Sequence, residues 1–272
     1  MADLDTKSHP RQGGPGKYVY LVKSRRAGGL SLGINLNADK KCNFDCAYCQ
    51  VQRSSGGIPN PSIDEILSEL EPFLKSYQQA GHWQGMQIKD FALAGDGEPS
   101  LFGPLPELLN SLMKLKTKYQ LSAKIVLFTN GAKITRLDLD SVWPQYFGGN
   151  NQVWFKLDFW DQPSYLRVNG AKGDRGQVLE KLLHLGQRYP LTLQACFFKP
   201  EALAEVDLWA AQAWVDQLKG LLNQGLKVEK LQIYTLARPP KEKQLAPYSL
   251  GELNQIGSLI RSQLNLDLAL YA

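Results

Sequence analysis

From Tyr18 onward, short apolar runs alternate with amphipathic stretches, and this rhythm constrains the fold more than any other feature. Strands are expected at 31–36, 87–94, 123–129, 152–159, 191–198 and 229–236, with a shorter seventh at 266–271. Between them, Ile63, Ile66, Leu67, Leu70, Leu74 and Tyr77 recur at helical spacing, as do Leu105, Leu108, Leu109, Leu112 and Leu115. Helical patterns also cover 175–187, 203–223 and 249–263. Ser62 with Glu65 and Ser249 with Glu252 form capping boxes at two helix starts. Repeated strand–helix units predict parallel strands joined by right-handed crossovers. About six units are too few for a closed eight-stranded barrel. An open, curved barrel and a doubly wound sheet both fit; the expected fold is a partial (β/α)6 TIM-like barrel with parallel strands. In either, ligands bind at the carboxyl ends of the strands. Residues 1–16, rich in Gly, Pro and polar groups, are expected to form a mobile tail. Residues 17–272 read as a single domain.

Bulk composition narrows the function classes. The 272 residues are 43% apolar, ordinary for a chain that buries a core. No apolar run reaches the length of a membrane span and no signal-peptide pattern opens the chain, so a cytoplasmic protein is expected. The net charge of +5 is a mild excess that permits an anionic substrate. Lys23, Arg25 and Arg26 cluster near the N-terminus without forming a basic stripe, so RNA is allowed as a partner but not indicated.

Three of the four cysteines, Cys42, Cys46 and Cys49, lie within eight residues, directly after the first expected strand. A disulfide scaffold would need more cysteines in a shorter chain. Clustered thiolates suit an iron–sulfur cluster or zinc. A closed zinc site normally has four ligands, yet His9, His82 and His184 are scattered. Cys196 stands alone inside a strand pattern, where a lone cysteine is usually a small core residue. Three thiolates around a four-iron cluster would leave one iron open to a ligand that is not protein.

The motif Cys42-x3-Cys46-x2-Cys49, with Tyr48 before the last cysteine, resembles the signature of the radical S-adenosylmethionine superfamily. The resemblance implies a [4Fe-4S] cluster on these three cysteines, with its open iron binding the methionine moiety of S-adenosyl-L-methionine. It places the Tyr48 backbone against the adenine. Ala94-Gly95-Asp96-Gly97-Glu98-Pro99 is similar to the family's Gly-Gly-Glu turn, with Asp96 where Gly is commoner. Read alone, that turn is a strand-to-helix connection with Glu98 favoured by the helix dipole. The third strand ends in Phe128-Thr129-Asn130-Gly131, and the family often has Thr-Asn-Gly there.

Strand parity puts Val153, Phe155, Leu157 and Phe159 on one face and Trp154, Lys156 and Asp158 on the other, directed inward. Lys156 and Asp158 are expected either to pair with each other or to serve a ligand. In the family, polar residues on this strand meet the cofactor. The same parity turns Asn35, Gln194, Gln232 and Tyr234 inward as candidate substrate contacts, or as partners of one another, and places Cys196 on the inward face as well, as a lumen or core residue and not a cluster ligand. Arg238, just past the sixth strand, could hold an anionic group. The stretches 31–36 and 234–240 resemble the wyosine-synthase-like branch, but no cysteine precedes Cys42 to build that branch's second cluster. The expected function is an enzyme that cleaves S-adenosylmethionine reductively to a 5′-deoxyadenosyl radical, which abstracts hydrogen from an RNA base, a protein or a small metabolite. An electron donor such as flavodoxin or ferredoxin is implied. The competing readings are an electron-transfer iron–sulfur protein and a zinc-stabilised binding module.

Overall fold

The computed structural model describes residues 16–53, 56–200 and 206–272. The expected N-terminal tail, except its last residue, and the expected start of a helix at 203 lie outside the described residues. The described residues divide into two compact units, one drawn from 16–42, 53, 56–129 and 136–153, the other from 43–52, 130–135, 154–200 and 206–272.

In the first unit, β1 (Val19–Ser24) and β2 (Gly29–Ile34) form an antiparallel hairpin. Then β3 (Ile88–Leu93) and β4 (Lys124–Thr129) add in parallel, giving the order β1-β2-β3-β4. The hairpin strand β1 lay outside the sequence expectation, because its turn lacks the usual Asn-Gly signal; Gly28 supplies the positive φ of 70° instead. Helix α1 (Ile63–Ala80) buries Ile66, Leu70 and Leu74. Its Ser62–Glu65 capping box is formed, and it ends at Gly81 in the left-handed conformation. Glu69 on this helix accepts the backbone N–H groups of Lys17, Tyr18 and Val19 at 2.8–2.9 Å, tying the start of β1 to it. Helix α2 (Leu105–Lys118) buries the predicted leucine stripe. Short helices α3 (Leu137–Asp140) and α4 (Trp143–Gly148) follow.

Strand β5 (Gln152–Lys156) begins in the first unit and ends in the second, three residues short of the expected 159, because the chain turns into the capping box of α5 (Gln162–Asn169). The second unit continues with α6 (Gly176–Gly186), β6 (Leu191–Cys196), β7 (Phe198–Pro200), α7 (Leu208–Asn223), β8 (Val228–Tyr234), β9 (Leu245–Pro247), α8 (Leu250–Gln263) and β10 (Leu268–Tyr271). Its main strands are parallel in the order β5-β6-β8-β10, while β7 and β9 make a separate antiparallel ribbon that the sequence did not signal. Trp214 of α7 donates its indole N–H to the Leu157 carbonyl at 2.8 Å, fixing this helix to the chain just past β5. In both units, parallel neighbours follow one another without the strand-order reversal of a doubly wound sheet. The fold is therefore α/β, a partial TIM-like barrel of mostly parallel strands, with β1 antiparallel. No helix among the described residues is long and apolar enough to cross a membrane.

Within the first unit, Ser31 and Asp90 sit opposite each other on β2 and β3, and the Ser31 hydroxyl donates to the Asp90 carboxylate. Burial pushes the Asp90 carboxyl up to about 6, against the Ser31 hydrogen bond and the positive charges of Arg26 and Lys124, which pull it down. The folded chain therefore holds this proton where the unfolded chain has lost it, and stability falls as pH rises from about 4 through 6. Replacing Asp90 with Asn keeps an acceptor for Ser31 and removes the buried charge. Denaturant titrations of Asp90→Asn and the parent should agree near pH 4. By pH 7 the variant should be more stable by about 2–3 kcal/mol. A stability difference that does not change with pH would refute the assignment.

Candidate functional site

In the first unit, the glycine turn after β3 is assembled by close backbone packing. A Cβ on Gly95 would lie 2.2 Å from the Asn35 side-chain oxygen. One on Gly97 would lie 2.1 Å from the Lys41 carbonyl and 2.6 Å from the Asn37 Cβ. A side chain at Gly97 would collide with backbone, and one at Gly95 would displace the Asn35 side chain. Asn35 stitches the turn from below: its amide donates to Asp96 Oδ2 at 2.6 Å, and its oxygen accepts the Asp96 N–H at 3.1 Å and the Asn37 N–H at 3.2 Å. Asp96, which stands where glycine is commoner in the resembling motif, thus secures the turn to the end of β2. Since Lys41 precedes Cys42, the first cysteine leaves the backbone beside this turn.

Glu98 is buried, 3% exposed. Its Oε1 accepts the Ser100 N–H at 3.0 Å and the Thr129 hydroxyl at 2.5 Å. It caps a single 3₁₀ turn, Pro99–Leu101, and so stands ahead of α2 rather than in the first turn of a helix. Thr129, at the end of β4, holds the same carboxylate oxygen.

In the second unit, Cys46 and Cys49 lie on a loop fixed to its neighbours through backbone groups. Asp45 N–H donates to the Asn169 carbonyl at 3.0 Å and Ala47 N–H to the Val168 carbonyl at 2.9 Å, both at the end of α5. Lys241 N–H donates to the Cys49 carbonyl at 3.0 Å, and the Lys241 ammonium pairs with Asp45 at 2.6 Å. Asn130 donates to Asn43 at 2.9 Å, and Gly131, with φ 84°, turns the chain away. Asn169, Lys241 and Asn43 carried no sequence signal: each is an ordinary polar residue whose role depends on contacts made by folding.

Behind Cys46 is a compact polar group. The Tyr48 hydroxyl donates to Asp158 Oδ2, and the Cys196 backbone N–H donates to Asp158 Oδ1 at 2.8 Å. Lys156 stands 3.7 Å from Asp158, donates to the Tyr234 hydroxyl at 2.8 Å, and lies 4.6 Å from the Tyr48 ring centroid. The expected Lys156–Asp158 pair is thus formed inside a larger network. Burial, reinforced by the Asp158 charge, holds the Tyr48 hydroxyl well above the usual tyrosine range. Burial works against the Lys156 charge, yet Asp158 and Tyr234 outweigh it and raise the ammonium. Burial also pushes the Cys46 thiol up to about 11, opposed first by Lys156 and then by the Asn169 and Tyr48 hydrogen bonds.

Gln194 donates to Gln232 at 2.7 Å, so these two buried amides satisfy each other in part. Cys196 is buried at the end of β6. Arg238 is exposed, and its carbonyl accepts from Gln50 at 3.3 Å. No disulfide joins any of the four cysteines. Among the described residues no three His, Cys, Asp or Glu side chains stand together at metal-binding spacing. The soft donors that could hold a metal are the thiols of Cys42, Cys46 and Cys49, spaced by three and two residues.

Against known proteins, this chain aligns over 208 residues at 26% identity with a UPF0026 protein of Helicobacter pylori, covering 69% of this chain and 63% of that one. A UPF0026 protein of Methanocaldococcus jannaschii is 26% identical over 242 residues, 86% of this chain and 68% of its own. The chain spans roughly half to two thirds of the length of such curated relatives. Among solved structures, archaeal TYW1 superposes with a TM-score of 0.49 at 13% identity over 91% of this chain and 84% of that one. The radical S-adenosylmethionine methyltransferase TsrM of Kitasatospora setae gives 0.48 at 16% identity over 85% of this chain and 40% of that one. The model of the Radical SAM superfamily matches residues 39–208, well over half of the chain and all three clustered cysteines. By that match, the chain belongs to the radical SAM superfamily.

Proposed function

We propose that the protein is a radical S-adenosylmethionine enzyme in which Cys42, Cys46 and Cys49 hold one [4Fe-4S] cluster. The observation that carries the reading is the packing of Gly97 against the Lys41 carbonyl, which brings the glycine turn up to the first cysteine. The residues suit such a group. Three cysteines in one short loop, none in a disulfide, would supply soft ligands for three irons and leave the fourth for a molecule that is not protein. The glycines leave room for a ligand to approach backbone closely. The cluster, when bound, supplies one electron that splits S-adenosylmethionine and yields a carbon radical able to take hydrogen from a substrate.

The chain's own groups bind and orient. Glu98, with Oε1 fixed by Ser100 and Thr129, presents a rigid carboxylate for the ammonium of the methionine moiety. Lys156 and Asp158 would meet the rest of the cofactor, and Tyr48, its hydroxyl held by Asp158, would offer its backbone to the adenine. Gln194, Gln232 and Tyr234 contact the hydrogen donor, and an external carrier such as flavodoxin or ferredoxin delivers the electron.

Two outcomes test this reading. Anaerobic reconstitution with iron and sulfide should give one four-iron cluster, lost in Cys46→Ser and retained in Cys196→Ala. Zinc without iron after that treatment would reject it, and loss of the cluster in a folded Cys196→Ala protein would make Cys196 a ligand. Second, Glu98→Gln keeps an acceptor for Ser100 and Thr129 but removes the charge. Loss of one charge-assisted hydrogen bond, about 1.5–3 kcal/mol, corresponds to roughly ten- to hundredfold weaker binding. Equilibrium titration with S-adenosylmethionine should show that loss while the iron–sulfur absorption stays, and 5′-deoxyadenosine formation under dithionite should fall. Unchanged affinity and cleavage would reduce Glu98 to the cap of its 3₁₀ turn.

A further inference from the structure

Asn169 ends α5 and is almost wholly buried, 2% exposed. Its side-chain nitrogen lies 3.6 Å from the sulfur of Cys46. Its side-chain oxygen has no hydrogen-bond partner among the described residues. A buried carboxamide acceptor left unsatisfied is costly, so this side chain is not being used as an ordinary structural cap. The amide orientation follows from chemistry: a sulfur that becomes a thiolate accepts and cannot donate, so the NH₂ end faces it.

The backbone around Asn169 holds it there. Its carbonyl accepts from Asp45 and that of Val168 from Ala47, bracketing Cys46 in sequence. Gly170 follows in the left-handed conformation, φ 53°, so close that a Cβ would lie 2.3 Å from the Asp45 carbonyl. Neither the amide nor the cysteine loop can move without disturbing the other.

We propose that Asn169 is a positioning residue for the cluster: its N–H donates to the Cys46 thiolate and raises the cluster's reduction potential. The inference rests on the reading of Cys46 as a cluster ligand. An N–H···S bond draws electron density from the sulfur and stabilises the reduced, more negative state, one of the means by which proteins set iron–sulfur potentials. Being neutral, it does so without adding a second cation beside Lys156.

The test uses reconstituted protein carrying ¹⁵N-labelled asparagine, reduced in the absence of S-adenosylmethionine. Pulsed electron paramagnetic resonance should show a ¹⁵N coupling to the reduced cluster in the parent. Asn169→Leu, of similar shape, and Asn169→Ala should both lose that coupling, keep their iron and sulfide, and shift the midpoint potential to more negative values. A parent with an intact cluster and no ¹⁵N coupling overturns the proposal whether or not either variant folds. So do variants that keep the parent's potential. A parent that assembles no iron–sulfur cluster overturns the reading of the cysteines themselves, a different failure from either of these.

Discussion

The first unit's candidate site depends on two backbone segments meeting with no room for a side chain between them. Gly97 meets the Lys41 carbonyl, and Gly95 meets Asn35, at distances a Cβ would violate by more than an ångström. Once those contacts are made, much else follows. Asn35 must spend its amide on Asp96, and the chain leading to Cys42 has to leave from the carboxyl end of β2. Glu98 is carried to the end of β4, where Thr129 can reach it. Parallel strands supply the frame, because only their carboxyl ends gather successive loops on one side of a sheet. An alanine at Gly97 would have to push the cysteine-bearing loop away, so the effect of such a change would fall on the site before the core.

The second unit answers a different constraint, the cost of charge in a buried place. Asp158 is 3% exposed, and an isolated carboxylate there would be unstable. It persists because a backbone N–H, a phenol and an ammonium surround it. Such a pair adds little to stability relative to an apolar replacement, since desolvation offsets most of the attraction. What it does provide is a fixed orientation: Tyr48 is tied to Asp158, and Lys156 is shared between Asp158 and Tyr234.

This contrast explains what was legible in the sequence. Local, repeated signals carried the architecture: the leucine stripe of α2, the capping boxes of α1 and α8, and the alternation along β5. The Gly-Asp-Gly-Glu turn was legible because close backbone approach demands glycine at a fixed offset, and the cysteine spacing because it matches the family whose model covers it. Asn169 was not, since it lies 123 residues from Cys46 and any polar residue can end a helix. Lys241 was hidden in the same way, by a distance in sequence that only folding closes. The β7–β9 ribbon escaped because three-residue strands have too few positions to show a period. Strand parity offered two fates for Gln194 and Gln232, a ligand or each other, and their hydrogen bond realises the second at one of their polar groups.

The two units therefore meet opposite demands with different chemistry. The turn of the first unit is closed by glycines packed against backbone and by hydrogen bonds of Asn35 to Asp96, since a Cβ at Gly97 would meet the Lys41 carbonyl. If Cys46 is a cluster ligand, as proposed, its sulfur needs donors around it, because desolvation pushes the thiol up to about 11. Lys156 answers with full charge and carries Asp158 as its counterion, so its net field at the sulfur is reduced. Asn169 answers with a dipole that needs no counterion and is aimed by a helix end locked to the cysteine loop. A cation sets the average potential of the pocket, whereas an N–H aimed at one sulfur acts on one ligand. The second kind of control is available only where the backbone has already fixed the geometry, as it has between Val168 and Gly170.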